Sequence, residues 1–275
     1  MRALLPLLLA LGLALPAAAD PCQRSATVAL GPLQAGPATG ALGTPRRACA
    51  RTELRLGLDA GAIIATSEFY GYLHGGLVLE GSWALRPETE LFARMELVRY
   101  DSVISSLSAS ALGPGYLSGG ASHRLLALAI GGQPLLLNAY GRVLLPTAVL
   151  LDRGSWPLGL EAGATGAWEL HPKLDLHAGL ALFGDGAFGS GPARPRVGLR
   201  LVPGVSYWAL SWLAVVGEVD LGMGHAAALD TLGLGLGLRV GGERLGAALE
   251  LRAPLAGRER HDAALLLTAT WRPAG

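Results

Sequence analysis

Thr231 to Arg239 reads TLGLGLGLR. Leu232, Leu234, Leu236 and Leu238 share one parity; Gly233, Gly235, Gly237 and Arg239 share the other. A period of two sends alternate side chains to opposite faces of a β-strand, so this strand divides an apolar environment from a different one. The glycines leave room on their wall, either for a solute or for side chains from opposite. The same alternation recurs from Arg51 to Trp271 and predicts strands over 52–64, 70–85, 90–100, 116–130, 135–147, 158–170, 174–183, 194–206, 212–224, 231–240, 245–254 and 262–271.

The connections alternate in length. Arg86-Pro87-Glu88-Thr89, Gly131-Gly132-Gln133-Pro134, His171-Pro172-Lys173 and Gly241-Gly242-Glu243-Arg244 read as tight turns. Longer links separate them: Asp101 to Gly115, Gly184 to Ala193, Ala148 to Pro157, Leu255 to His261 and His225 to Asp230. Pro146, Pro195, Pro203 and Pro254 are expected near strand ends, where a missing donor is tolerable; Pro203 fits this least well.

Aromatic residues cluster by end. Trp83, Trp168, Trp208, Trp212 and Trp271 fall near short turns or the C-terminus and are the expected membrane-interface aromatics. Phe69, Tyr70, Tyr72, Tyr100, Tyr116, Trp156, Phe183 and Phe188 fall near the long links, and Tyr140 is the clearest aromatic in mid-strand. Two belts around an apolar band suit amphipathic rings at two lipid–water interfaces.

The parity also sorts charge. One face carries Leu54, Leu56, Leu58, Leu77, Leu79, Leu91, Ala93, Met95 and Leu97. The other carries nine carboxylates (Glu53, Asp59, Glu80, Glu96, Glu161, Asp175, Glu218, Asp220, Glu250) and seven guanidiniums (Arg55, Arg94, Arg124, Arg142, Arg200, Arg239, Arg252), with His74, Asn138 and His177. A charge facing lipid at mid-depth costs about 2–4 kcal/mol, so this segregation is what a transmembrane barrel requires. Most of these charges are expected to pair across the lumen. Arg94, Glu96, Arg142, Glu161, Glu218, Asp220 and Arg239 are the lumen-facing candidates for an ion-lined constriction, and the near balance of signs predicts weak ion selectivity.

Residues 1–19 read as a signal peptide: Arg2, then the apolar run Ala3 to Pro16, then Ala17 and Ala19 as the small residues before cleavage at Asp20. Cys22 follows Pro21, which does not fit a lipoprotein lipobox. Cys22 and Cys49 are the only cysteines and are expected to form a disulfide in an oxidising compartment. They would loop a periplasmic arm or partial plug over 20–50, ahead of a barrel over 51–275. Without Arg2 the chain has 21 basic and 21 acidic residues, a near-neutral balance that argues against a nucleic-acid partner, which would want a basic face. Hydrophobic residues make up 51% of the chain but lie in short runs; Leu201 to Gly217, the best helical-span candidate, contains Pro203 and Gly204.

Enzyme signatures are missing from the sequence. Outer-membrane phospholipases and lipid deacylases carry His and Ser two apart on one strand. None of His74, His123 and His177 has Ser two residues on, and Ser122-His123 point to opposite faces. His171, His225 and His261 fall in turns or loops. G-x-S-x-G does not occur. Glu218 and Asp220 share a face but lack a third catalytic partner. No metal or cofactor motif is present.

Over Arg51 to Trp271 the chain resembles Gram-negative outer-membrane β-barrels in alternation, turn asymmetry and aromatic belts. The resemblance implies an all-β fold: a closed antiparallel up-and-down transmembrane β-barrel of about 12 strands with short turns facing the periplasm. It implies insertion into outer-membrane lipid by the barrel-assembly machinery, although Arg272-Pro273-Ala274-Gly275 follow the terminal aromatic Trp271. Three functions fit: a porin-like passive channel for small solutes, a closed structural or adhesive barrel acting through its loops (101–115 foremost), and a lipid-modifying enzyme. The missing dyad leaves the channel as the expectation, with no enzymatic activity.

Overall fold

The computed structural model describes residues 50–64, 71–104, 109–145, 147, 156–188, 196–224, 229–241, 244–257 and 263–273. The signal peptide, the arm, and the Cys22–Cys49 pairing lie outside the described residues.

Among the described residues the fold is all β: β1 (Glu53–Ile64), β2 (Gly71–Arg86), β3 (Thr89–Ile104), β4 (Ala109–Gly113), β5 (Leu117–Ile130), β6 (Gln133–Leu145), β7 (Trp156–His171), β8 (Leu174–Phe188), β9 (Arg196–Leu210), β10 (Leu213–Met223), β11 (Leu229–Gly241), β12 (Leu245–Ala256) and β13 (Ala263–Trp271). Sequential antiparallel pairing runs around the sheet. β1 closes it on β13, with Leu54 opposite Trp271 and Leu58 opposite Leu267. The ring has twelve strands, and β4 stands outside it, paired only with the far half of β3. Closure matters because lipid offers no hydrogen bonds to an open edge.

The tight turns gather at one end. One of them is built by its glycines: Gly131 and Gly132 have φ of 62° and 81°, the double positive φ of a type I′ hairpin turn. Ser211-Trp212 makes a further tight turn at this end, between β9 and β10.

The alternation becomes two physical faces. Outward-facing Leu54, Leu56, Leu58, Leu234, Leu236 and Leu238 are exposed, while inward-facing Glu53, Asp59, Arg239 and Glu250 are buried. Trp83, Trp212 and Trp271 stand out from the wall at the turn end.

Several expectations need correction. The link predicted over 101–115 is largely sheet: β3 runs on to Ile104, and Ala109–Gly113 pairs back on it. The break there is local. Gly113-Pro114-Gly115-Tyr116 bulges, and Glu96 spans it by exchanging backbone hydrogen bonds with Gly115 and Tyr116. The register of β3 on β2 shifts here too, so Val98 and Tyr100, not Leu97, carry the outward parity beyond Glu96. The links predicted over 184–193, 148–157, 225–230 and 255–261 also give residues to strands, through Phe188, Trp156, Leu229 and Ala256.

Trp208 is not an interface aromatic. It shares the inward parity of Ser206, its indole N–H donates to Asp175 Oδ2 at 2.8 Å, and the Arg239 guanidinium lies 6.0 Å from its ring. Tyr116 also turns inward, 5.3 Å from the Arg99 guanidinium carbon. Position near a strand end placed these rings correctly along the barrel, but parity decides which side of the wall they occupy.

Pro203 lies inside β9, not at its end. The β9–β10 ladder pairs Gly204 with Glu218 and Leu201 with Leu221 but has no pairs between them. One missing donor accounts for both gaps, because Pro203 has no N–H to give β10. Pro203→Val is expected to restore the ladder and raise stability by about 1 kcal/mol. Urea titration of the detergent-folded protein checks this; an unchanged midpoint would show that the gap has another origin.

Candidate functional site: a charged file along the lumen

Neighbouring strands stand about 4.8 Å apart, so side chains two strands apart are separated by roughly 10 Å at their Cα atoms. His177 on β8 and Glu218 on β10 nevertheless meet, Nε2 to Oε1, at 3.0 Å. Between them stands Gly204, in register with both. A Cβ on Gly204 would collide with the His177 ring and come within 2.9 Å of Glu218 Cγ. The pattern repeats one strand on. Gly235 lies between Glu218 and Arg252 in register, and Arg252 Nη2 donates to Glu218 Oε2 at 2.9 Å. The glycine wall of Thr231 to Arg239 therefore carries side chains from its neighbours: Gly235 faces Glu250 and Arg252.

Arg252 is the hub. Its Nη1 donates to Asp220 Oδ2 at 3.1 Å, its Nη2 to Glu218, and its Nε to Glu250 Oε1. Arg200 makes a two-point contact with Asp220, Nε to Oδ1 at 2.8 Å and Nη2 to Oδ2. Such fork-to-carboxylate pairs are the strongest charge-assisted hydrogen bonds. A separate ion pair stands on β6 and β7, where Arg142 Nη2 donates to both Glu161 oxygens at 3.3 Å. Tyr140 lies over Gly163, as Phe92 lies over Gly120 and Phe183 over Gly198.

The opposite wall carries a second cluster. His74 Nε2 meets Asp59 Oδ1 at 3.2 Å, and Arg99 reaches Glu96 at 3.3 Å and Asp101 at 2.7 Å. Asp59, His74, Gly75, Gly76, Val78, Glu96 and Arg99 line a small pocket there with room for about one water. At the turn-end mouth Glu53 accepts from Arg55 at 2.7 Å and from Arg272 at 3.2 Å, and Arg55 lies 3.7 Å from Glu80. Arg272, at the start of the tail that follows the terminal aromatic, thus folds into the mouth.

All seven expected lumen residues lie on the inner face and are buried. The structure joins Arg142 to Glu161, and Glu218 to Asp220 through Arg252. Glu96 belongs to the second cluster. Arg94 lies on β3 between Phe92 and Glu96. Arg239 faces Trp208 near the turn end. Four members of the central chain, His177, Arg200, Glu250 and Arg252, were visible as inward charges but not distinguished from the rest. For His177 and Arg252 the signal is the glycine standing between each of them and Glu218, Gly204 in one case and Gly235 in the other. His123 faces outward and shares a 2.8 Å hydrogen bond with Thr89, while Ser122 is buried inside, so these neighbours form no dyad. No group of three metal-ligating side chains occurs among the described residues.

No family model matches the chain, and no curated protein matches it. Solved structures do. An outer membrane channel from Pseudomonas putida F1 superposes with a TM-score of 0.57 at 16% identity, over 81% of this chain and 95% of that one. The translocator domain of the autotransporter NalP from Neisseria meningitidis superposes with a TM-score of 0.52 at 13% identity, over 82% and 89%. At these identities the likeness is one of fold. The fold is that of the Gram-negative outer-membrane β-barrels: closed, antiparallel and twelve-stranded.

Proposed function

We propose that this barrel is a narrow passive channel for small ions and polar solutes, constricted by its own lumenal ion pairs. The observation that carries the reading is the polar file itself. It runs from Glu53, Arg55 and Arg272 at the turn end, past Arg252 and its carboxylates, to Arg99 and Asp101 at the other end. A purely structural filling could be apolar at no loss, since replacing buried ion pairs by packed hydrophobic groups is often neutral or stabilising. The Pseudomonas putida F1 structure with the same fold is an outer membrane channel, which supports the reading.

The near-complete burial of inward side chains favours a second reading, a closed structural barrel. Planar bilayers separate the two. The channel reading expects discrete steps, far smaller than those of wide porins, because the lumen wall is crowded. A bilayer that stays silent after many verified insertions favours the closed barrel.

A further inference from the structure

At the turn-end mouth the chain stands off the wall just before β1 begins. The register that sets Glu53 opposite Ser82 would, two residues earlier, set Arg51 opposite Ala84. Backbone groups of a strand lie in the plane of the sheet and bond the neighbouring strand there. Those of Arg51 turn out of that plane. Its N–H donates to Glu90 Oε2 at 3.3 Å, and its carbonyl oxygen accepts from Ser82 Oγ at 2.6 Å. Both partners are inward-facing side chains, Glu90 1% and Ser82 4% exposed. Glu90 stands on β3, two strands from β1. The Ala84 N–H bonds the Thr52 hydroxyl oxygen at 3.2 Å. The peptide groups of Arg51 therefore face the lumen, and the chain that precedes them enters the mouth from inside the wall.

The mouth offers that chain a counterpart. Glu169 on β7 and Asp175 on β8 stand opposite each other in register, on the inner parity of Glu161 and His177. Two carboxylates side by side suit a pair of guanidiniums. Arg46 and Arg47 lie five and four residues ahead of Arg51. Extended chain of that length covers about 14–17 Å before the arginine side chains are added. A ring of twelve tilted strands is roughly 24 Å across between backbones, so the reach is sufficient. Residues 25–45 contain no charged side chain and are mostly Gly, Ala and Pro. Such a segment is slim and brings no further charge to desolvate in a crowded lumen.

We propose that residues 20–49 dock in the turn-end mouth of the lumen, with Arg46 and Arg47 on Glu169 and Asp175, and narrow the pathway there. The docking stands on the path of the chain at Arg51. Its effect on flow rests on the channel reading.

The test uses the full chain and two readouts. Trypsin cuts exposed chain after Arg46 and Arg47. In the detergent-folded barrel this cleavage is expected to run roughly tenfold or more slower than in a free peptide of residues 20–50, because cutting must wait for the segment to leave. Arg46→Glu with Arg47→Glu leaves every strand of the barrel unchanged and should release the segment. A glutamyl endopeptidase should then cut the folded double variant at positions 46 and 47 as fast as the matching free peptide. Its single-channel conductance in planar bilayers should exceed that of the wild type by about twofold or more, as removal of an obstruction from a narrow pore implies. Wild-type cleavage at the free-peptide rate overturns the docking, whatever the bilayer shows. Protection that survives the double substitution overturns the assignment to Glu169 and Asp175. Protection lost without a rise in conductance overturns the narrowing. If neither protein conducts but protection is lost in the variant, the channel reading falls and the docking stands.

Discussion

Arg252→Leu is expected to destabilise the barrel by about 3–5 kcal/mol, the usual cost of removing one partner from a buried ion pair. The size follows from what the substitution strands. Glu218, Asp220 and Glu250 all take hydrogen bonds from this one guanidinium, and all are buried. Asp220 retains Arg200 and Glu218 retains His177, but Glu250 keeps no charged partner among these contacts. Arg252→Lys should cost less, about 1–3 kcal/mol, because an ammonium preserves the charge but not the fork that serves three acceptors. Urea titration of the protein in detergent micelles, followed by tryptophan fluorescence, measures both. The pairing of Arg252→Leu with Glu250→Leu provides the control: if the energy lies in an uncompensated carboxylate, the double variant should be more stable than Arg252→Leu alone. A single variant as stable as the wild type would mean that the three carboxylates do not depend on Arg252.

The period-two alternation made the architecture legible because parity is a local property. Leu232 to Leu238 report the face they occupy whatever the rest of the chain does, and twelve such segments can only close into a sheet without edges. Bulges are not local in this sense. Nothing in Leu97 announces that β3 changes register beside it, at the point where Glu96 spans the Gly115–Tyr116 kink on its other side. Residues 101–115 were expected to form a long link, yet Gly113-Pro114-Gly115 marks only an interruption within a continuing pairing. Trp208 was misplaced because its distance from a strand end was weighed and its parity with Ser206 was not. The candidate site was half legible. Glu218 and Asp220 share a face by spacing alone, but their meeting with Arg252 depends on register across β11, which no short window of sequence contains. Gly204 and Gly235 carried that information all along. They look like flexible filler until the register places each between two charged residues that meet across it.

The second large effect is expected at a glycine with even less freedom. Gly120→Val should prevent the barrel from folding, lowering the yield of heat-modifiable protein by a factor of roughly one hundred or more, as overpacking costs of about 3 kcal/mol imply. Gly120 faces inward on β5, opposite Phe92 on β3 and Arg142 on β6. A Cβ there would run into the Gly141 carbonyl oxygen, 2.8 Å from Phe92 Cζ and 2.9 Å from Arg142 Cα. Two of those three atoms are backbone, and backbone cannot step aside without opening the β5–β6 ladder. The contrast with Gly57 shows that crowding, not glycine content, is the cause. A Cβ on Gly57 meets Thr268 Cγ2 at 3.4 Å and the Leu267 carbonyl oxygen at 3.6 Å, ordinary contacts. Gly57→Ala should therefore leave folding intact, or stabilise the strand slightly by reducing the freedom of the unfolded chain. Gly163 lies between these cases, with the Leu180 carbonyl oxygen at 2.5 Å and the Tyr140 ring at 2.7 Å from a would-be Cβ, so Gly163→Ala should fall between the two in yield. Refolding from urea into detergent, scored on unheated gels, ranks the three directly. If Gly120→Val folds as well as Gly57→Ala, the inner wall is looser than its contacts imply, and the constriction proposed for the channel loses its physical basis.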